Sequence, residues 1–146
     1  MEVLTAVLCD SASDYNGKLC ILGTFDTIGS TTFPCVWAQC ALAFRFLFRE
    51  TDVGLRKFRV SIIDSDGKTL LKGEPPRFDL PILEIPENTY FLTRNFILNM
   101  QGLVLDKPSL YSIDLYMDED PIAHIPLQVI KIDMPPIEEQ KEDGGQ

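Results

Sequence analysis

The sequence predicts an all-β protein, an antiparallel β-sandwich of the immunoglobulin-like or C2-like type with about eight or nine strands. Three observations support this fold class. The segment 36–48 alternates strictly between apolar and mixed positions, turn signals recur along the chain, and apolar residues nowhere follow the i, i+3, i+4, i+7 spacing of a helix. We therefore expect two packed sheets with no helices between the strands.

The segment 36–48 is the predicted central strand. Its even positions are apolar and end in Phe44, Phe46 and Phe48, whereas its odd positions include Gln39 and Arg45. Because side chains alternate between the two faces of a strand, the three phenylalanines share one face and need a second apolar layer opposite them. The same alternation places Trp37 on the opposite face.

The N-terminal half of the chain provides further strands. The sequence predicts strands at 3–9 and 18–26, a polar loop at 10–16 with an Asn16-Gly17 turn, and a second loop at 29–33. Segment 57–63 alternates cleanly and predicts an amphipathic strand, and 69–71 a short one. These two segments flank the Asp64–Lys68 turn.

The C-terminal half is interpreted in the same way. Segment 78–85 contains Pro81 and predicts an irregular edge strand. Segment 90–105 predicts a second long strand that bends at Gly102 and has Val104 on its apolar face. Segments 110–117 and 122–132 predict a hairpin around the turn 118–121. The fold is expected to form one domain over 1–133, followed by an acidic disordered tail at 134–146.

Composition restricts the possible functions. The chain has 146 residues, a formal net charge of −9 and no cluster of basic residues, so nucleic-acid binding is not expected. No apolar run reaches the ~20 residues of a membrane span. The four cysteines form no C-x-x-C pair, which favours reduced thiols. Because the first residues also lack a basic signal region, we expect a cytoplasmic protein.

Several short motifs carry a resemblance to a known group of proteins. They are Cys9-Asp10, Gly17-Lys18-Leu19, Ile21, Gly23, Phe25-Asp26, Ile28, Phe33-Pro34, Asp64, Asp66-Gly67, Leu110-Tyr111, Ile113, Leu115, Ile125-Pro126-Leu127 and Val129. In this order they resemble a family of small bacterial proteins of unknown function, over most of the chain up to about Ile132. The resemblance implies a β-sandwich and no known activity.

Catalytic motifs are not found in the sequence. His124 is the only histidine, and the chain has no nucleophile elbow, phosphate-binding loop or dinucleotide fingerprint. We therefore predict a protein without catalytic residues and without a cofactor. His124, in the last predicted strand, is expected to have a structural role.

Two acidic turns are the candidate metal site. Asp64, Asp66, Asp118 and Asp120 could bind calcium if both turns lie at one end of the sandwich, because calcium requires several oxygen ligands. The same residues are also typical of ordinary hairpin turns, since Asp bonds its own backbone there. Both interpretations stay open at this point.

Four other side chains are of interest. Asp10 and Lys18 are expected to form an ion pair across the mouth of the first loop. Trp37 and Tyr15 are candidate contact residues if they are exposed.

The function predicted from these features is a non-enzymatic binding or assembly module. Its partner, another protein or a second copy of the chain, would contact the strand-end loops or an exposed sheet edge. The alternative is a calcium-binding or small-ligand-binding domain that uses the acidic turns.

Overall fold

A computed structural model describes residues 1–133, and within them the protein is all-β. The strands are β1 (Glu2–Tyr15), β2 (Lys18–Thr24), β3 (Thr27–Ser30), β4 (Cys35–Phe48), β5 (Gly54–Ile63), β6 (Arg77–Ile82), β7 (Leu92–Leu105), β8 (Ser109–Met117) and β9 (Asp120–Lys131). One 3₁₀ turn, Glu50–Asp52, joins β4 to β5. The predicted fold class is confirmed, and the predicted tail at 134–146 lies outside the described residues.

The nine strands of residues 1–133 form two sheets. The first sheet has four strands in the order β2-β1-β4-β7, and the second has five in the order β3-β9-β8-β5-β6. All neighbouring strands are antiparallel except β3 and β9, which are parallel. The two sheets pack as a β-sandwich.

The predicted central strand, β4, lies at the centre of the core. Leu42, Phe44, Phe46 and Phe48 are almost completely buried, together with Val60, Ile62, Ile113, Leu115 and Leu127 of the other sheet. Fully burying one such side chain stabilises the fold by about 1.5–3 kcal/mol, so this contact between the sheets is the main source of stability.

A row of phenylalanine rings closes one side of the sandwich. Phe58 lies 5.2 Å from Phe46 and 4.8 Å from Phe78, measured between ring centroids, and Phe78 stacks on Phe96 at 3.5 Å. Phe78 belongs to the edge strand β6 and Phe96 to the edge strand β7, so the row connects the two sheets where their edges meet. The edge position predicted for 78–85 is confirmed by β6, which contains Pro81.

In the first sheet, the long strands β4 and β7 both change which of their faces points to the core, at the same place along their length. β4 and β7 keep one register, yet both Ala38 and the facing Gly102 are missing from the regular pairs, and Gly102 has φ +63°. On β7, Met100 and Leu103 both face the core, although they are three positions apart and regular alternation would place them on opposite faces. The bend predicted at Gly102 is therefore present, and it changes which side chains point inward.

This change of face corrects three predictions. Val36 is 64% exposed and Val104 38% exposed, so neither lies on the buried apolar face. Trp37 packs against the core cluster and against Phe25, with 5.7 Å between the ring centroids. The strict alternation assumed for the sequence fails at Ala38 and Gly102 because the strand is kinked there.

Three predicted boundaries are also wrong. The expected loop 10–16 is mostly strand, since β1 extends to Tyr15, and the expected loop 29–33 contains the end of β3. The short strand predicted at 69–71 is reduced to a single bridge between Ile63 and Thr69. Ser and Thr suggested loops, but pairing with a neighbouring strand decides the conformation.

Candidate functional site

The first hairpin of the chain, β1–β2, lies at the edge of the four-stranded sheet and packs over its outer face. β1 pairs with β4 from Glu2 to Cys9 and with β2 from Cys9 to Tyr15. A two-residue turn closes the hairpin, and both turn residues have positive φ, 51° at Asn16 and 79° at Gly17. The Asn-Gly pair predicted the turn, but the hairpin is tight instead of having a wide mouth.

One face of this hairpin covers the outer face of its own sheet. Cys9, Ala41 and Ala43 are completely buried there, in a cluster separate from the main core, and Ala12 and Leu19 of the hairpin pack against them. Small side chains on the sheet allow the hairpin to lie close to it. Burial raises the pKa of the Cys9 thiol, with a further contribution from nearby Asp10.

A polar network holds the tip of the hairpin. Arg45 donates to the carbonyl oxygen of Gly17 at 2.8 Å, to Oδ1 of Asn95 at 2.7 Å and to Oγ1 of Thr93 at 2.9 Å. Nδ2 of Asn95 and the N–H of Gly17 donate to the carboxylate of Asp14 at 2.8 and 2.9 Å. These two hydrogen bonds, from Asn95 first and then from Gly17, lower the pKa of Asp14.

The free edge of β2 is the most accessible backbone of the hairpin. Within residues 1–133, β2 pairs only with β1, and six of its seven residues are exposed. Tyr15 and Lys18 adjoin the two-residue turn and therefore form a hydrogen-bonded pair. Hydrogen-bonded and non-hydrogen-bonded pairs alternate along an antiparallel ladder. The N–H and C=O groups of Leu19 and Ile21 therefore point away from β1. Leu22 is 68% exposed.

Gly23 ends the regular part of this edge. It has φ +66°, and a Cβ atom added there would lie 2.7 Å from a carboxylate oxygen of Asp10, so only glycine fits. Asp10 lies beside Gly23 and Lys18 beside the turn, at opposite ends of the hairpin. The ion pair predicted between Asp10 and Lys18 is therefore not formed.

The first acidic turn uses its carboxylate to hold its own backbone. Oδ1 of Asp64 accepts hydrogen bonds from the N–H groups of Asp66 and Lys68, both at 2.9 Å, and these bonds lower the pKa of Asp64. Asp66 pairs with Lys107 at 3.3 Å on the surface. These contacts are those of a hairpin-type turn.

The second acidic turn is the β8–β9 turn. Oδ1 of Asp118 accepts a hydrogen bond from the N–H of Lys57 at 3.0 Å, and Oδ2 pairs with Arg56 at 3.3 Å. The hydrogen bond from Lys57 is the largest cause of the lowered pKa of Asp118. Asp120, the first residue of β9, pairs in the ladder with Met117.

The two acidic turns lie at opposite ends of β5. Asp118 binds near the start of this strand at Lys57, whereas Asp64 follows its last residue, so roughly 20 Å of strand separates them. Asp64, Asp66, Asp118 and Asp120 therefore do not converge, and residues 1–133 contain no group of three or more His, Cys, Asp or Glu able to hold a metal. Calcium binding itself stays a prediction.

A cleft of about 550 Å³ lies beside the first acidic turn. It is formed by the connection after β5, the end of β7 and the β7–β8 turn, and its charged and aromatic lining residues are Asp64, Lys68, Lys72, Asp106, Lys107 and Tyr111. Burial raises the pKa of Tyr111, and Asp64 and Asp106 add to this shift. The three lysines were not predicted as site residues, because Lys107 is far from Lys68 and Lys72 in the sequence.

His124 belongs to a polar cluster on the outer face of the second sheet. Its Nδ1 lies 2.8 Å from Oγ of Ser112 and 2.9 Å from Oδ1 of Asp114, and Ser112 also bonds to Asp114. In a catalytic triad the serine and the carboxylate bond to different ring nitrogens, whereas here they share one. Ser112 and Asp114 were not predicted as neighbours of His124, although strand alternation with the hairpin turn places them near it.

The two aromatic candidates have different environments. Tyr15 is 64% exposed at the hairpin tip and stays a candidate contact residue. Trp37 is half-buried, and its Nε1 is buried without a hydrogen-bond partner among residues 1–133, so it does not form an exposed contact surface.

Fold and site together define a small β-sandwich domain whose edge hairpin packs over the outer face of one sheet. The chain matches a family model over residues 4–130 and belongs to the family of unknown function DUF6941. This confirms the resemblance to a family of unknown function, while the bacterial origin stays a prediction. A search of curated proteins finds no match. Among residues 1–133, no helix has the length and apolar character needed to cross a membrane.

Proposed function

We propose that this protein is a non-enzymatic binding or assembly module that pairs with a partner strand along the free edge of β2. The observation that carries this proposal is the free edge of β2, where the backbone groups of Leu19 and Ile21 have no neighbouring strand among residues 1–133. An edge strand presents unpaired N–H and C=O groups, which are a template for one more strand.

The other sheet edges carry features that discourage pairing. β6 contains Pro81, β7 carries Arg94 and is kinked at Gly102, and β3 has only four residues. By contrast, β2 contains no proline, and its single charge, Lys18, is its first residue. Since natural edges are usually blocked by such residues, an unblocked edge favours a role in recognition.

The strand order supports an immunoglobulin-like type of sandwich. One sheet contains β1, β4 and β7, the other contains β5, β6, β8 and β9, and each sheet has antiparallel neighbours as in immunoglobulin domains. Such domains recognise partners through edges and loops, with the core serving as a scaffold. The four free cysteines support a reducing, cytoplasmic location.

Native mass spectrometry of gently purified protein tests the proposal. The wild type should carry a stoichiometric partner or form a defined oligomer, and Ile21→Pro should lose it, because proline removes an outward N–H without removing a bond to β1. Ile21→Ala is the matched control, since it shortens the side chain but keeps the N–H. A folded Ile21→Pro variant that retains its partner would contradict edge pairing.

A second candidate function is the binding of a small ligand or calcium beside Asp64. The cleft of about 550 Å³ supports the small-ligand form, because binding sites are commonly concave with a few converging polar groups. Native mass spectra should then show additional ligand-sized or calcium-sized mass, which Lys72→Ala or Asp64→Asn respectively should reduce. A calcium titration without thermal stabilisation would dismiss the metal form.

A further inference from the structure

We propose that the strand that pairs with β2 is the β2 of a second copy of this chain, antiparallel about a two-fold axis at Cys20. This inference rests on the proposed function, since it identifies the partner of the same edge. Two-fold pairing of identical edge strands produces one continuous sheet of eight strands from the two four-stranded sheets.

The hydrogen-bonding pattern of β2 determines the register. In the regular segment 18–22, Leu19 and Ile21 carry the outward N–H and C=O groups. A two-fold axis at Cys20 places Leu19 of each copy opposite Ile21 of the other. Each of these two pairs exchanges two backbone hydrogen bonds, so four form in all. An axis at Ile21 or at Leu22 would need Gly23, whose positive φ takes it out of the regular strand.

The side chains of the edge are compatible with self-pairing. In this register the exposed Cys20 faces its own copy, and Leu22 faces Lys18 of the second copy, whose aliphatic stem can cover it. The segment 18–22 has no carboxylate although the chain carries a net charge of −9. Lys18 is the single charge in each strand. In the antiparallel pair the two Lys18 residues lie at opposite ends, so their charges are kept apart.

The contact is small. A strand pair of five residues buries less than the ~1,600 Å² of a standard protein interface, so the dimer should be weak and should form as concentration rises. A covalent trap is therefore a better test than a measurement of mass alone.

Oxidative cross-linking of the wild-type protein provides this trap. In this register the two Cys20 residues form a non-hydrogen-bonded pair of the antiparallel ladder. The Cα atoms of such a pair are about 4.5 Å apart, which is within the range for a disulfide. With copper–phenanthroline and air as the oxidant, two Cys20 thiols lose two protons and two electrons and form one S–S bond. We expect a covalent dimer on non-reducing gels, with the Cys20–Cys20 bond identified by peptide mapping.

Moving the thiol to another exposed position is the matched control. In the double variant Cys20→Ser, Leu22→Cys, the two thiols lie four positions out of register, so the dimer should form at least tenfold more slowly. Ile21→Pro with Cys20 retained should also slow the reaction, whereas Ile21→Ala should not. Equal rates for thiols at positions 20 and 22 would indicate random collision and would overturn the proposal.

The outcomes separate this inference from the proposed function. If no Cys20 dimer forms, but Ile21→Pro loses a co-purified partner of different mass, the second copy is the wrong partner and edge pairing stands. If no dimer forms and Ile21→Pro changes nothing, both proposals are wrong. A dimer specific to Cys20 supports both.

Discussion

Two hairpins of this protein have the same turn geometry in different surroundings. Both β1–β2 and β8–β9 are closed by two residues with positive φ, Asn16-Gly17 in the first and Asp118-Glu119 in the second. β8–β9 lies between β3 and β5 and buries its inward side chains in the main core. β1–β2 lies at the edge, and beyond Cys9 it is held by a small outer cluster of apolar side chains and by the polar network at its tip.

In these hairpins the turn determines the register, whereas the surroundings determine how firmly the hairpin is held. β8–β9 has neighbouring strands on both sides, so its edges are used within the fold. β1–β2 has one free edge and one face packed on its own sheet. Regions with few buried apolar contacts open at lower free energy than the core, so β1–β2 should open more readily than β8–β9.

The largest difference should appear on truncating one leucine in each hairpin. Leu115 of β8 is almost completely buried, and Leu115→Ala should destabilise the protein by about 2–5 kcal/mol through a cavity in the core. Leu19 of β2 is only half-buried, and Leu19→Ala should cost roughly 1 kcal/mol. Urea unfolding of both variants measures this, and equal losses would show that the edge hairpin is as firmly held as the central one.

The fold was largely predictable from the sequence, but the site was not. The phenylalanines at alternate positions of β4 and the Asn16-Gly17 pair are local signals, and both were interpreted correctly. The kink at Ala38 and Gly102 depends on two strands meeting, so the burial of Trp37 and the exposure of Val36 could not be predicted from one strand. Separating the acidic turns likewise required knowing that β5 lies between them.

The polar tip of β1–β2 is expected to control local opening. Arg45→Met removes the donor that holds the carbonyl of Gly17, and hydrogen bonds to charged groups contribute about 1.5–3 kcal/mol. Hydrogen exchange should become faster at the amides of 11–22 and remain slow in β8 and β9. Arg49→Met is a control, because Arg49 pairs only on the surface, with Glu2. Uniformly faster exchange in Arg45→Met would instead indicate a global role.

Removing the glycine from the first turn and introducing one into the second should have opposite effects on stability. In Gly17→Ala the added Cβ atom would meet no neighbouring atom, but the alanine would have to adopt φ +79°. The substitution should therefore reduce the stability of the protein by roughly 1 kcal/mol. Glu119 has φ +68° and forms surface ion pairs with Arg59 and Arg77. In high salt, which weakens such pairs, Glu119→Gly should stabilise the protein by up to about 1 kcal/mol. Glu119→Gln controls for the lost charge. If Gly17→Ala and Glu119→Gly both lower the stability, the two turns do not differ in the expected way.

The smallest effect concerns pH. The pKa values of Asp14 and Asp118 are both lowered in the folded state, by the bond from Asn95 in the first hairpin and by the bond from Lys57 in the second. A carboxyl with a lowered folded pKa stabilises the fold above its ordinary pKa of 3.8, and this contribution is lost as pH falls through the folded value. Protonation should open the tip of β1–β2, whereas the core keeps β8–β9 closed.

An NMR titration between about pH 6 and pH 2 tests this difference. The amide of Gly17, which donates to Asp14, should shift with a midpoint below the ordinary value of 3.8, and Asp14→Asn should abolish that transition. Cross-strand contacts between Ser13 and Cys20 should persist, while those from Gly17 to Asn95 disappear. If the contacts of β8–β9 disappear over the same range, acid unfolds the whole domain, and the tip is not the region that responds first.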